Sequence, residues 1–162
     1  MLSMLRYWSL LVVGLLSVSC ASAQQGSTGL GFRLGDDIGK VRSAIGATGE
    51  PEAMPRTSAL PANMDPNRGK TFFHLRTKGI WTFFNAQGTL DTVRLDAPFA
   101  GKVKGIGLGD SASKLRATLG QPIKKPFTAF LGTERYLYVL DDSAYVSFDV
   151  NDDGVQNIFI NR

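Results

Sequence analysis

Fourteen residues near the start of the chain, Phe32 to Ile45, are echoed 74 positions later by Ile106 to Leu119. Leu34-Gly35-Asp36 returns as Leu108-Gly109-Asp110, and Lys40-Val41-Arg42 returns as Lys114-Leu115-Arg116. Gly49-Glu50-Pro51 is answered by Gly120-Gln121-Pro122, with a small difference in length. Self-similarity at a fixed interval marks a structural unit used more than once. In each copy the apolar residues (Ile38, Val41, Ile45 and Ala112, Leu115, Leu119) fall at i, i+3 and i+7, a spacing that lines one face of a helix. Asp36 and Asp110 stand where a carboxylate caps the free N–H groups of a first helical turn. Glycine followed by proline ends each run. Lys40, Arg42, Lys114 and Arg116 fall on the solvent side.

Strand-type sequence follows each helix. Residues 71–77, 80–85 and 90–95 in the first half, and 135–140, 144–150 and 155–160 in the second, alternate and are rich in aromatic and β-branched residues. Thr77-Lys78-Gly79, Asn85-Ala86-Gln87-Gly88, Asp141-Asp142-Ser143 and Asn151-Asp152-Asp153-Gly154 are turn sequences. Residues 30–34 and 103–108 have the makings of short leading strands, and 96–105, with Pro98, Gly101 and Gly105, links the halves. The expected fold is α+β: two tandem repeats, 24–97 and 98–162, each a short helix followed by a three-stranded antiparallel meander. The helices are expected on one face of the sheet or sheets.

Residues 1–23 read as a secretory signal peptide. Arg6 precedes the apolar run Leu10–Leu16, and Ala21-Ser22-Ala23 forms a small-x-small cleavage site. The run is short for a bilayer span. Cys20 offers the alternative of a lipoprotein, although Ser17 stands where that signal usually has leucine. A mature chain from Gln24 has no cysteine, which removes disulfides, thiol nucleophiles and thiolate metal ligands. Its formal charge is +3, the +4 of the whole chain less Arg6, too mild to point to nucleic acid. The expected location is periplasmic or secreted.

Side chains alternate across a strand. Leu137, Val139, Val146, Phe148, Val150, Ile158 and Ile160, with Phe73, Leu75, Ile80, Thr82 and Phe84, form the set expected under the helices. The opposite set holds Tyr136, Tyr138, Tyr145, Ser147, Asp149 and Phe159, with Phe72, His74, Trp81 and Phe83. One short helix covers one side of a sheet, so this second set is expected to meet water. Exposed aromatic patches mark partner sites. The stretch from Glu52 to Lys70 has Pro55, Pro61 and Pro66 with Met54, Leu60 and Met64 between them, a loop suited to entering a partner's cleft. The candidate partner-binding residues are therefore Phe72, His74, Trp81, Phe83, Tyr136, Tyr138, Tyr145, Met54, Leu60 and Met64.

Catalytic patterns are sparse. Asp149-x-Asn151-x-Asp153-Gly154 begins like a calcium loop, but Ile160 stands where the bidentate glutamate is needed. His74 is the only histidine, with no cysteine nearby to share a zinc ion. No Gly-x-Ser-x-Gly elbow and no phosphate-binding glycine loop occurs. No metal or cofactor is expected, and no enzymatic activity.

The pattern Phe/Ile-x-Leu-Gly-Asp, then Lys-x-Val/Leu-Arg, then a Leu-Gly-x-Pro element best kept at Leu119-Gly120-Gln121-Pro122, then Asn151-Asp152-Asp153-Gly154-Val155, resembles the superfamily of beta-lactamase inhibitory proteins and SmpA/BamE envelope lipoproteins. The resemblance covers about 30–162 and implies a two-unit fold with a joined sheet and helices on one side, and binding without catalysis. The expectation is an exported inhibitor or immunity protein that occludes an enzyme or toxin of the cell envelope. The alternatives are an envelope assembly accessory protein and a small-ligand or cell-wall binding module.

Overall fold

The structure is a computed structural model and describes residues 29–57, 59–141 and 144–162. The expected signal peptide and Cys20 lie outside the described residues.

Two α-helices form where the apolar spacing places them, α1 at Ile38–Ile45 and α2 at Ala112–Leu119. Their caps sit one residue later than the sequence led us to expect. Asp37 accepts from the Lys40 N–H at 3.0 Å, and Ser111 from the Lys114 N–H at 3.2 Å. Asp36 and Asp110 are thereby free for a different task. Each carboxylate accepts a backbone N–H three residues back, from Arg33 at 2.8 Å and Gly107 at 2.9 Å. Each also takes the ammonium four residues on, from Lys40 at 2.9 Å and Lys114 at 2.7 Å. The backbone of the same motif grips a strand start. Gly35 and Asp36 bracket Leu90 through N–H···O bonds of 2.8 Å, and Gly109 and Asp110 bracket Val155 at 2.8 and 2.9 Å. The echoed Leu-Gly-Asp is thus a clamp between helix entry and sheet.

The strands are β1 Glu52–Ala53, β2 Thr71–Leu75, β3 Ile80–Phe84, β4 Leu90–Leu95, β5 Phe127–Phe130, β6 Thr133–Asp141, β7 Ala144–Asn151 and β8 Gly154–Asn161. They form one antiparallel sheet in the order β1-β2-β3-β4-β8-β7-β6-β5. This overturns the expected architecture of two tandem helix-plus-meander repeats. The molecule is mostly sheet, eight strands with two eight-residue helices among the described residues. The physical cause is the β4–β8 ladder, Thr92↔Asn161 to Leu95↔Ile158. It satisfies backbone groups that two separate meanders would leave bare. Two further corrections concern elements. β1 and β5 are strands the alternation did not reveal, being two and four residues long. Residues 30–34 and 103–108 form no strand; Val103 and Ile106 make only an isolated bridge.

The core lies between the helices and one sheet face. Phe32, Val41, Ile45, Val103, Ile106 and Leu115 pack there with Phe84, Val93, Phe148 and Ile158, all buried. In β6 the expected phase is inverted. Tyr136 and Tyr138 are buried in this core, whereas Leu137 is half-buried and Val139 is 54% exposed. Register decides this: Tyr136 pairs with Phe148 and Tyr138 with Val146, and directly opposed residues share a face. The hydroxyls reach the rim. Tyr136 donates to Glu134 Oε2 at 3.0 Å and accepts from Arg116 at 3.2 Å, while Tyr138 donates to the Gly120 carbonyl at 3.4 Å. An aromatic ring with a polar tip suits such a half-wet seat.

Candidate binding face

The opposite face of the sheet carries neither helix. Its side chains alternate with the core set: β3 reads buried, half-buried, buried from Ile80 to Phe84. Across β2 and β3 three rings gather. Phe72 lies 5.7 Å from Trp81 and 6.1 Å from Phe83 between centroids, and Trp81 and Phe83 are 6.1 Å apart and nearly parallel, at 4°. His74 stacks on Trp81 with centroids 3.3 Å apart. Pairing sets these contacts, because Phe72↔Phe83 and His74↔Trp81 stand directly opposite.

The pattern continues across the centre of the sheet. The Arg94 guanidinium lies 5.7 Å from the Trp81 ring and 5.8 Å from the Phe159 ring, and that of Arg135 lies 4.9 Å from Phe159. Asp96 Oδ2 accepts from Trp81 Nε1 at 3.1 Å and from Arg94 at 3.0 Å. Arg94 also donates to Asn157 Oδ1 at 3.2 Å. Arg135 holds Asp149 through two bonds. Rings on β2, β3 and β8 thus share this face with guanidinium groups on β4 and β6, and both arginines have an acid to balance them. Burial holds His74 below the ordinary histidine value, with the charge of Arg76 adding to it and Asp96 and Glu52 opposing. The hydrogen bonds that Arg135 donates to Asp149 raise the Arg135 value.

Of the sequence-derived candidates, Phe72, His74, Trp81 and Phe83 come together here, half-buried. Tyr145 is on the same face and exposed, paired with Val139 and Asn161. Tyr136 and Tyr138 do not belong to it; their rings are sealed on the other side. Leu60 and Met64 are exposed on the β1–β2 loop, Met64 by 66%. Met54 lines an open concavity of about 610 Å³ with Arg56, Asp65 and Arg68, whose lining includes none of the four clustered residues. That loop is pinned by Asp65, whose Oδ1 accepts from Asn67 N–H at 2.9 Å. Sequence reasoning missed Arg94, Asp96 and Arg135. The alternation of Thr92 and Arg94 with buried Val93 and Leu95 was the available signal for Arg94.

Among the described residues, no group of three or more His, Cys, Asp or Glu side chains is placed to hold a metal ion. No helix among them is long and apolar enough to cross a membrane.

The fold and face define a class: an antiparallel sheet armoured on one side by two helices and bare on the other. No family model and no curated protein matches the chain. Among solved structures it is similar to a DUF4309 family protein (YjgB) from Bacillus subtilis, with 14% identity over 78% of each chain and a TM-score of 0.48. A likeness of that size carries no argument about activity or partner.

Proposed function

We propose that this is an exported, non-catalytic binding protein that docks a protein partner on the bare sheet face, and that the partner is an enzyme or toxin of the cell envelope occluded by the contact. The observation that carries the reading is the Phe72–Trp81–Phe83 cluster bordered by Arg94. Tryptophan, tyrosine and arginine are the residues that dominate interface energetics. Here their positions are set by strand pairing, so little ordering cost accompanies binding. The paired charges, Arg94 with Asp96 and Arg135 with Asp149, leave a face that is polar at its edges without a strong net field. The resemblance of the Leu-Gly-Asp pattern, common to inhibitory proteins and envelope lipoproteins, supports binding without catalysis.

The test is site-specific photo-crosslinking from position 83 in envelope extract, with position 87 as control, followed by assay of the captured and purified enzyme. The reading predicts a single protein adduct from position 83 and stoichiometric loss of that enzyme's activity. It fails if Trp81→Ala with Phe83→Ala stays folded and binds the same protein undiminished. A cell-wall fragment that quenches Trp81 fluorescence, with no protein adduct, would replace the partner class with a glycan.

A further inference from the structure

A second exposed surface lies at the other end of the sheet. Ile123, Phe127, Phe130 and Leu131 are all exposed, Phe130 by 53% and Leu131 by 98%. Phe130 ends β5, Leu131 lies in the turn to β6, and Gly132 closes it at a φ of 73°. No polar side chain interrupts the pair. Leu131 is almost as open as in a free chain and contributes nothing to the core; taken with Phe127 and Phe130 on the same hairpin it is one of several exposed apolar side chains, not a single stray one.

Just before β5 stand Lys124 and Lys125, both exposed. Among the described residues neither forms an ion pair. The Lys124 ammonium sits 4.3 Å from the centroid of the Phe127 ring. Glu134, which pairs with Thr128 across the hairpin, has its carboxylate engaged by the Tyr136 hydroxyl. The lysines are therefore available to an external anion.

We propose that the β5–β6 hairpin is a membrane-surface anchor that seats Phe130 and Leu131 at the headgroup–acyl boundary of an anionic bilayer, with Lys124 and Lys125 against its phosphates. Charge complementarity selects this occupant: the edge strand β5 has two unpaired lysines ahead of its first residue, exposed Phe127 next to them and Phe130 and Leu131 at its far end, so a strand lying along an anionic bilayer meets it with both cations and apolar side chains. A second copy adding to the β5 edge fits less well. Pro126 lacks an N–H just ahead of the strand, and the register shift between Thr128 and Phe130 breaks its outer pairing pattern. The anchor is separate from the aromatic cluster. Five strand spacings divide β3 from β5, roughly 24 Å along the sheet.

The experiment uses the full chain carrying Cys20→Ser and Leu131→Cys, labelled at position 131 with an environment-sensitive dye. A site-specific dye reports the hairpin whatever the apolar N-terminal residues do. With vesicles of equal parts phosphatidylglycerol and phosphatidylcholine, the emission should shift to the blue, and less so at high salt. With phosphatidylcholine alone it should not shift. Lys124→Glu with Lys125→Glu should abolish the shift, and Phe130→Ser should reduce apparent vesicle affinity at least tenfold. Trp81→Ala should leave it unchanged, so this proposal and the sheet-face reading can fail separately. No shift with anionic vesicles overturns the anchor, as does an equal shift from a dye at position 87. A blue shift that grows with protein concentration in the absence of lipid also overturns it, in favour of self-association.

Discussion

Arg135 and Asp149 face each other on neighbouring strands through two parallel hydrogen bonds of 2.6 and 2.7 Å, and only the arginine reaches water. The Asp149 side chain is 1% exposed and that of Arg135 is 31%. The carboxylate therefore depends on its partner, whereas the guanidinium has solvent as a second option. Removing Arg135 strands a buried anion. Arg135→Met should cost about 3 kcal/mol, and Arg135→Met with Asp149→Leu should recover most of it. Urea denaturation of the two variants measures the difference. Equal midpoints would show that Asp149 finds water once Arg135 is gone.

If the proposed function holds, the two faces of the sheet separate binding from stability. Trp81→Ala should weaken partner binding at least about thirtyfold, the size of an interface anchor. Tyr138→Phe should leave binding unchanged, because that ring points into the core. Tyr138→Ala should destabilise the fold by about 3 kcal/mol through the cavity it leaves. Titration calorimetry and thermal unfolding read these effects independently.

Thr82 is fully buried in β3, and its hydroxyl oxygen has no hydrogen-bond partner among the described residues. Thr82→Val preserves the shape and removes the unsatisfied group. The variant should be more stable by about 1 kcal/mol, seen as a higher urea midpoint at unchanged m-value.

The clamp carboxylates make acid stability predictable. Asp36 is held below the ordinary carboxylate value: burial works against this, and the Lys40 and Arg33 contacts outweigh it. Asp110 is held down chiefly by the Gly107 N–H and then by Lys114. A depressed folded value means that the unfolded chain takes up protons first as pH falls. The stabilisation is complete above about 3.8 and disappears as pH drops below it. The wild-type urea midpoint should therefore fall more steeply below pH 3.8 than that of Asp36→Asn with Asp110→Asn.

His74 is the only histidine, so its proton NMR titration is unambiguous. Its midpoint should lie below 6.5, because burial against Trp81 disfavours the charged ring. By the same linkage its contribution to stability is lost as pH falls through 6.5. Trp81 fluorescence should fall over the same window, since a protonated ring then lies on the indole. A midpoint above 6.5 would mean that Asp96 and Glu52 dominate instead.

Much of the local structure was written in the chain. The i, i+3, i+7 spacing located both helices and their buried faces, and the alternation of Ile80, Thr82 and Phe84 with Trp81 and Phe83 assigned β3 to its two sides. These are short-range properties, set by helical and strand periods that any sequence exposes. Assembly was decided elsewhere. Nothing near Thr92 or Asn161 announces that β4 and β8 pair, because a ladder between distant segments depends on which edges are left unsatisfied once each half has folded. Tyr136 and Leu137 are both apolar enough to face inward, so β6 carried no phase of its own. Its pairing with Phe148 and Val146 chose the tyrosines, and the polar partners around α2 made that choice affordable for their hydroxyls. Arg94 likewise became part of the aromatic face only when Phe159 was brought beside it. Periodicity is local and survives in a string of letters; register is a relation between strands and exists only once they meet.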